Sequence, residues 1–384
     1  MASLAPDIGR RELRLADKLR ALQWGLLLLV ATISGVGFAM LYSAANGHVH
    51  PWAARQMIRF AIALVPMIAA ALIDIRYWYR AAYWLYGAAL LLVAGVDLHG
   101  TAGLGAQRWI NIDGFQLQPS EIMKVALVLA LARYFHALPA EQAGRLRYLP
   151  VAAAMVVVPT ALVLKQPDLG TAMMLLATGA VLFFLGGVRL WMFGAAAVSA
   201  AAAAPFAWSF LRDYQKTRLY TFLDPSRDPQ GAGYHILQSK IALGSGGMWG
   251  KGFLLGTQSH LSFLPERQTD FIFTMIAEEF GLVGGLLLLA LYILAVIWAF
   301  AIGLRSRSQF GRLLGLGIGV NFFLYAFINM AMVMGLIPVV GVPLPLISYG
   351  GTAMITVMLG FGLLMNVGIH RDVRISRQGE SRLG

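Results

Sequence analysis

Cysteine is absent from the 384-residue chain, which excludes disulfides and thiol nucleophiles and leaves the redox compartment unmarked. Charge is scarce as well. Only 12% of the residues are Asp, Glu, Lys or Arg, about half of the roughly 25% usual in soluble proteins. Acidic residues are the scarcer sign, 18 against 30 basic ones. No His/Cys/Asp spacing matches a zinc site, and no Gly-x-Ser-x-Gly elbow marks a hydrolase nucleophile. The glycine-rich run Gly244–Gly252 contains Lys251 but lacks the Walker spacing, which rejects a nucleotide P-loop. Neither a repeat of solenoid length nor the paired halves common in transporters is visible.

What the chain has is apolar surface: 59% of its residues are hydrophobic, more than a soluble fold can hide. The expected fold class is therefore an all-α polytopic membrane protein. Apolar runs long enough to span, roughly 17 to 25 residues, occur at about 24–42, 57–74, 79–97, 120–136, 148–164, 171–187, 189–209, 271–301, 313–337 and 347–369, about ten transmembrane helices. The run Val198–Pro205 is rich in alanine and reads as a helix-packing surface. No small-residue cleavage site follows the first run, so the first helix is expected to be retained.

The net charge of +12 would suit nucleic acid if it were gathered on one face. The cations instead lie between apolar runs, the pattern of topology signals, so no nucleic-acid partner is expected. With Arg10, Arg11, Arg14, Lys18 and Arg20 in the cytoplasm, every second loop is basic, ending in a tail with Arg371, Arg374, Arg377 and Arg382. This gives a cytoplasmic basic N-terminus over 1–23, a membrane domain over 24–370 with one large extracytoplasmic loop at 210–270, and a cytoplasmic tail over 371–384, both termini inside. The segment Arg11–Arg20 is a solvated flank, with contact to membrane lipid as its second reading. Most carboxylates, among them Asp97, Asp113, Glu121, Asp168, Asp224, Glu266, Asp270, Glu278 and Glu279, fall at the opposite face. Any chemistry is expected there.

Four stretches carry that expectation. Pro265–Gly281 closes the longest polar segment and enters an apolar helix, with Asp270, Thr274 and Glu278 near one face. Ionisable groups at a membrane helix are costly to keep and point to function; the plainer reading is a helix-dipole partner for Asp270 and an ion pair for Glu278. Burial raises the pKa of Asp270 and a helix N-terminus lowers it. Gln118-Pro119-Ser120-Glu121-Ile122-Met123-Lys124 opens a helix with Glu121 and Lys124 three apart. They are either a neutralised pair or an anion site to which Arg108 adds. Asp168, in Gln166-Pro167-Asp168-Leu169-Gly170-Thr171, reads first as a helix cap. Pro343–Thr352 offers Ser348 as a hydrogen-bonding group. In the long loop, Ile236, Leu237, Ile241, Ala242 and Leu243 predict an amphipathic helix lying on the membrane, and Lys240 and Lys251 are candidates to cradle phosphate beside its glycines.

Taken together, Gln166–Thr171, Gln268-Thr269-Asp270-Phe271-Ile272-Phe273 with Glu278 and Gly281, and Pro343 through Ser348-Tyr349-Gly350-Gly351 resemble the SEDS family (shape, elongation, division and sporulation). The resemblance covers about 24–370. It is strongest to the elongation branch, with the division branch as the close alternative. It implies a peptidoglycan glycosyltransferase of the bacterial inner membrane that acts on lipid II, a disaccharide-pentapeptide on undecaprenyl diphosphate. It implies that Asp270, matching the family's essential loop aspartate, is the general base and that Glu121, Lys124 and Asp168 are functional positions. The implied partners are a class B penicillin-binding transpeptidase and other elongation-complex membrane proteins. No organic cofactor is expected; a divalent cation, Mg or Mn, is a candidate to stabilise the diphosphate beside Arg108, Lys124, Lys240 and Lys251. The lipid tails need a groove open to the bilayer. A flippase or transporter, and a scaffold without chemistry, are the competing classes. A flippase needs polar groups at both faces and the midplane, and the inner halves of these runs are nearly free of them.

Overall fold

Every one of the ten apolar runs is a helix in the computed structural model. The structure describes residues 14–376 except 100, 104–105, 113–114, 140–141, 143, 211–212, 229–230 and 261–265. Arg10, Arg11, Asp113, Pro265, Arg377 and Arg382 therefore lie outside the described residues, and so do most of the expected N-terminal region and tail. A short helix α1 (Leu15–Arg20) precedes α2 (Trp24–Ala44), α3 (Trp52–Leu72) and α4 (Ile75–His99). Then come α5 (Pro119–Ala137), α6 (Leu149–Lys165), α7 (Leu169–Leu185) and α8 (Leu190–Phe210). The long polar segment holds α9 (Asp213–Leu223), α10 (Ala232–Ser245) and α11 (Thr257–His260), before α12 (Ile272–Arg305), α13 (Gln309–Val333) and α14 (Gly351–Ile369).

By length and composition, six of these helices, α2, α3, α4, α12, α13 and α14, are able to cross a membrane; α6 and α7 are shorter apolar helices, and the fully described part of α8, Leu190–Phe206, is apolar as well. The fold is thus the expected helical membrane bundle, with one addition. Between α4 and α5 lies a three-stranded antiparallel sheet in the order β1-β2-β3, formed by Thr101–Gly103, Ala106–Ile112 and Phe115–Leu117. Strands of three to seven residues carry too little alternation to be read from the sequence.

The bundle is built around α5 and α13, both buried along most of their length. Pro119 starts α5, where its missing N–H costs nothing, and Ser308 caps α13 by accepting from the Gly311 N–H at 3.0 Å. The alanine-rich face of α8 departs from expectation: Val198 is 70% and Phe206 75% exposed, so this surface looks outward instead of packing into the bundle.

Helix α12 spans 34 residues, about 51 Å at 1.5 Å per residue, but it is broken at Gly281 (φ 65°). The loop 247–252 stitches the break. The Lys251 and Gly252 N–H groups donate to the Glu278 and Glu279 carbonyls, both at 3.0 Å, and the Leu282 and Val283 N–H groups donate to the Gly247 and Met248 carbonyls. A Cβ at position 281 would stand 2.4 Å from the Gly250 nitrogen, so only glycine fits both the left-handed conformation and the space. The segment before the break, with Glu278 and Glu279, is thereby a separate polar-capped piece above the spanning part. Helix α10 docks on that piece: Ser239 exchanges a 2.8 Å hydrogen bond with Thr274 and donates to the Val333 carbonyl at 2.8 Å. Its Leu237 and Ile241 stay exposed, as expected of an amphipathic helix at a membrane surface.

Candidate active site

Asp270 sits in a tight turn just before α12. The Thr269 and Phe271 N–H groups both donate to the Glu266 carbonyl, and the Thr269 hydroxyl donates to the Glu266 carboxylate at 2.8 Å. The loop before α14 pins this turn from outside. The Ser348 hydroxyl donates to the Thr269 carbonyl at 2.6 Å while accepting from the Leu344 N–H, and the Tyr349 N–H donates to the Gln268 carbonyl at 2.9 Å. From α13, the Asn329 amide donates to the carbonyls of Asp270 (2.8 Å) and Val342 (2.7 Å). Ser348 thus positions the acidic turn with its hydroxyl already used twice. The side chain of Asp270 approaches Gly341, where a Cβ would come within 3.4 Å of its Oδ2.

The carboxyl of Asp270 is raised from 3.8 to about 7. Loss of hydration inside the protein is the largest cause; Glu266 and, more weakly, Asp168 add to it, while Arg108 and Arg218 oppose it. Asp168 is buried as the N-cap of α7, accepting from the Thr171 N–H (3.1 Å) and hydroxyl (2.9 Å) and from the Gln118 amide (3.2 Å). Arg108, carried on β2, reaches to 3.9 Å from Asp168 and donates to the Gln166 and Pro167 carbonyls. Asp270, Arg108 and Asp168 form one electrostatic cluster.

Glu121 and Lys124 lie in the first turns of α5, below the Gln118 that bonds Asp168. Lys124 is 1% exposed, bonds Glu121 at 2.7 Å and sits 4.0 Å from the centre of the Tyr325 ring, whose hydroxyl also donates to Glu121. The neutralised pair is what the geometry displays. Lys240 is exposed and packs over Gly335, where a Cβ would meet its Cε at 2.4 Å. Lys251 is paired with Glu278 at 2.8 Å. Glu278 also accepts from the Thr257 hydroxyl and the Gln258 N–H, at 3.2 and 2.9 Å, so it latches the long loop to α12. Glu278→Ala is expected to lower stability by about 3 kcal/mol, the low end for one partner of a buried pair because Lys251 is partly exposed. Thermal unfolding and limited proteolysis after residue 251 read this; an unchanged melting point removes the latch.

Several residues at this end were not foreseen. A cavity of about 500 Å³ beside the turn is walled by Trp52, Arg55, Arg59, Trp109, Gln268 and Tyr349, and the Arg59 guanidinium lies 4.3 Å from the centre of the Tyr349 ring. Arg59 carried a signal, since a cation inside an apolar run is expensive. Arg218 carried none. On the flank, an apolar groove of about 970 Å³ runs between α12 and α13 under α10, lined by Leu243, Phe273, Leu289, Phe323 and Met330 among others. It has the character expected of a tail groove. Among the described residues no three His, Asp or Glu side chains converge to hold a metal.

Residues 18–373 match the family model FTSW_RODA_SPOVE, described as cell cycle protein. The chain is 45% identical over 349 residues to the peptidoglycan glycosyltransferase MrdB of Escherichia coli K12, covering 91% of this chain and 93% of that one. Its structure is similar (TM-score 0.79, 32% identity, 91% and 98% coverage) to a chain solved in work on the structural coordination of polymerization and crosslinking by a peptidoglycan synthase complex. It is also similar to the rod shape determining protein RodA of Thermus thermophilus (TM-score 0.69, 29% identity, 91% and 97% coverage).

Proposed function

The chain belongs to the FTSW_RODA_SPOVE cell cycle protein family and is a peptidoglycan glycosyltransferase of cell elongation; we propose that it polymerises lipid II into glycan strands, with Asp270 as general base. It is a multi-pass inner-membrane protein, in our reading with both termini cytoplasmic and the Asp270 end outside. The observation that carries the catalytic reading is the carboxyl of Asp270, poised at about 7 in a turn held by backbone bonds. A carboxylate of ordinary acidity is a weak base toward an alcohol. One that titrates near neutrality combines a large deprotonated fraction with useful basicity.

In this mechanism the acceptor sugar hydroxyl attacks the anomeric carbon of the donor. The new carbon–oxygen bond forms as the bond from that carbon to the diphosphate oxygen breaks. The hydroxyl proton passes to Asp270, and undecaprenyl diphosphate leaves with the bonding electrons. A single displacement inverts the anomeric centre. Arg108 and Arg218, within electrostatic range of Asp270, supply positive charge where the leaving group develops its own. The groove between α12 and α13 suits a polyprenyl tail, since a lipid-fed site must keep that tail apolar while its headgroup reaches the polar end. A divalent cation would be held mainly by substrate phosphates, as magnesium often is. A crosslinking transpeptidase of class B as partner is supported by the similar chain in a synthase complex.

The pH profile tests the base. With purified protein, its transpeptidase partner and labelled lipid II, kcat/KM should rise through pH of about 7 and then level, because the active form is the carboxylate. Glu266→Gln removes a neighbour that raises the Asp270 carboxyl and moves the limb to lower pH. Arg218→Gln removes one that lowers it and moves the limb up. A limb that stays in place in both variants assigns the titration to another group.

A further inference from the structure

At the end of the bundle opposite Asp270 there is a second, smaller cavity of about 380 Å³. It is walled by Gln23 before α2, by Trp298 and Arg305 in the last two turns of α12, and by Gly368 and Arg371 at the end of α14; its floor is Leu294 and Ile297. We propose that this notch binds the phosphate of an anionic glycerophospholipid, with one acyl chain running over the floor.

Three observations carry it. The first is charge without a partner. Arg305 forms no ion pair among the described residues, and Arg371 has only Asp372 at 3.5 Å, an exposed carboxylate that Arg307 also takes at 3.2 Å. Two arginines therefore share one acid at this corner, and Arg305 has none among the described residues. The side chains of Gln23 and Trp298 likewise make no hydrogen bond within the described residues, so neutral donors stand beside the cations. The second is depth. From Leu294 to Arg305 the helix rises about 16 Å, about half of a hydrocarbon core of roughly 30 Å, so the cavity has the height of one leaflet with its cations at the water boundary. The third is rigidity. Trp298 is wedged against α2, where a Cβ on Gly25 would meet its ring at 2.3 Å, and Gly368 is close enough to Gln23 that a Cβ would stand 3.4 Å from it. The wall is fixed by packing and is not a chance gap between mobile side chains.

A solvated basic flank, the ordinary topology signal, explains the arginines but not the apolar floor below them. Free phosphate explains neither floor nor depth. The floor has a further consequence: Ile297 also lines the long groove between α12 and α13, so the acyl chain of the bound lipid forms the foot of that groove. This inference needs only the membrane reading and stands apart from the role of Asp270.

Native mass spectrometry of the full chain in detergent tests it directly. Delipidated protein is titrated with phosphatidylglycerol, phosphatidylcholine of the same acyl chains, or inorganic phosphate. One phosphatidylglycerol should bind in preference to phosphatidylcholine, and millimolar phosphate should not displace it. Arg305→Gln with Arg371→Gln should weaken that binding by about tenfold to thirtyfold, at about 1 kcal/mol per cation near an anionic surface. The control pair Arg145→Gln with Arg147→Gln, exposed cations outside the cavity, should leave it unchanged. Ile297→Trp, which fills the floor without altering charge, should weaken it as well. Circular dichroism confirms that each variant is folded before it is scored. Equal retention of the two lipids, displacement by phosphate, or the same loss in the control pair overturns the proposal.

Discussion

Asp270→Asn should abolish glycan strands while leaving a protein that is folded and, above neutral pH, more stable than the parent. The loss of turnover follows from chemistry. The amide has the shape of the carboxyl but cannot take the proton of the attacking hydroxyl, and removal of a general base costs about 10² to 10⁴ in rate. The turn itself should survive, because the bond from Asn329 goes to the backbone carbonyl of residue 270, and Ser348 and Tyr349 hold Thr269 and Gln268. The gain in stability follows from the sign of the pKa shift. The carboxyl titrates near 3.8 when exposed and at about 7 in the fold, so the folded state holds its proton more tightly. That stability is fully present below pH 3.8 and is lost as pH rises through about 7. The asparagine variant has no such loss. Its melting point should match the parent at pH 4 and exceed it at pH 8. Ladders of labelled glycan from both proteins would remove Asp270 from its role, and a variant less stable at pH 8 would show that the carboxylate is needed by the fold.

The bundle was legible because a membrane helix announces itself locally. Twenty apolar residues must satisfy their own backbone bonds, and only a helix does so within one segment. Asp270 was legible for a related reason: an acid at the mouth of such a helix stands out against its surroundings. Its neighbours were not. Arg108 reaches it from a strand more than a hundred residues earlier, and Arg218 from a helix in the long polar segment, so nothing in local pattern joins them. For the lysines the residues offered both a neutralised pair and a phosphate site. Lys124, Lys240 and Lys251 each sat near glycines or acids that suited a phosphate, yet two of them are bonded to Glu121 and Glu278. In a chain so poor in charge, an acid and a base placed near an apolar interior find each other first, because the cost of leaving either unpaired is high. Gly281 carried no reading of its own in the sequence, and only the backbone of 247–252 shows why a side chain cannot be there.

The pair of Glu121 and Lys124 allows a decisive version of that argument. Lys124→Met should cost about 3 to 5 kcal/mol and leave little folded protein, because it strands a carboxylate that is 2% exposed in the centre of the bundle. Adding Glu121→Gln should restore most of the loss, since the glutamine still accepts from the Tyr325 hydroxyl and carries no charge to neutralise. If Lys124 instead served as an anion site for the substrate headgroup, the two outcomes would invert. The single variant would fold and lose affinity for lipid II, and the second substitution would rescue nothing, because it supplies no cation. Detergent-solubilised yield and melting point separate fold from affinity, and the concentration dependence of strand synthesis in whichever variants fold measures the rest. Pairing in the bundle and binding at the polar end make opposite demands on one ammonium group. A rescued double variant with an unchanged KM assigns Lys124 to the architecture that holds Asp168 and Asp270 in place.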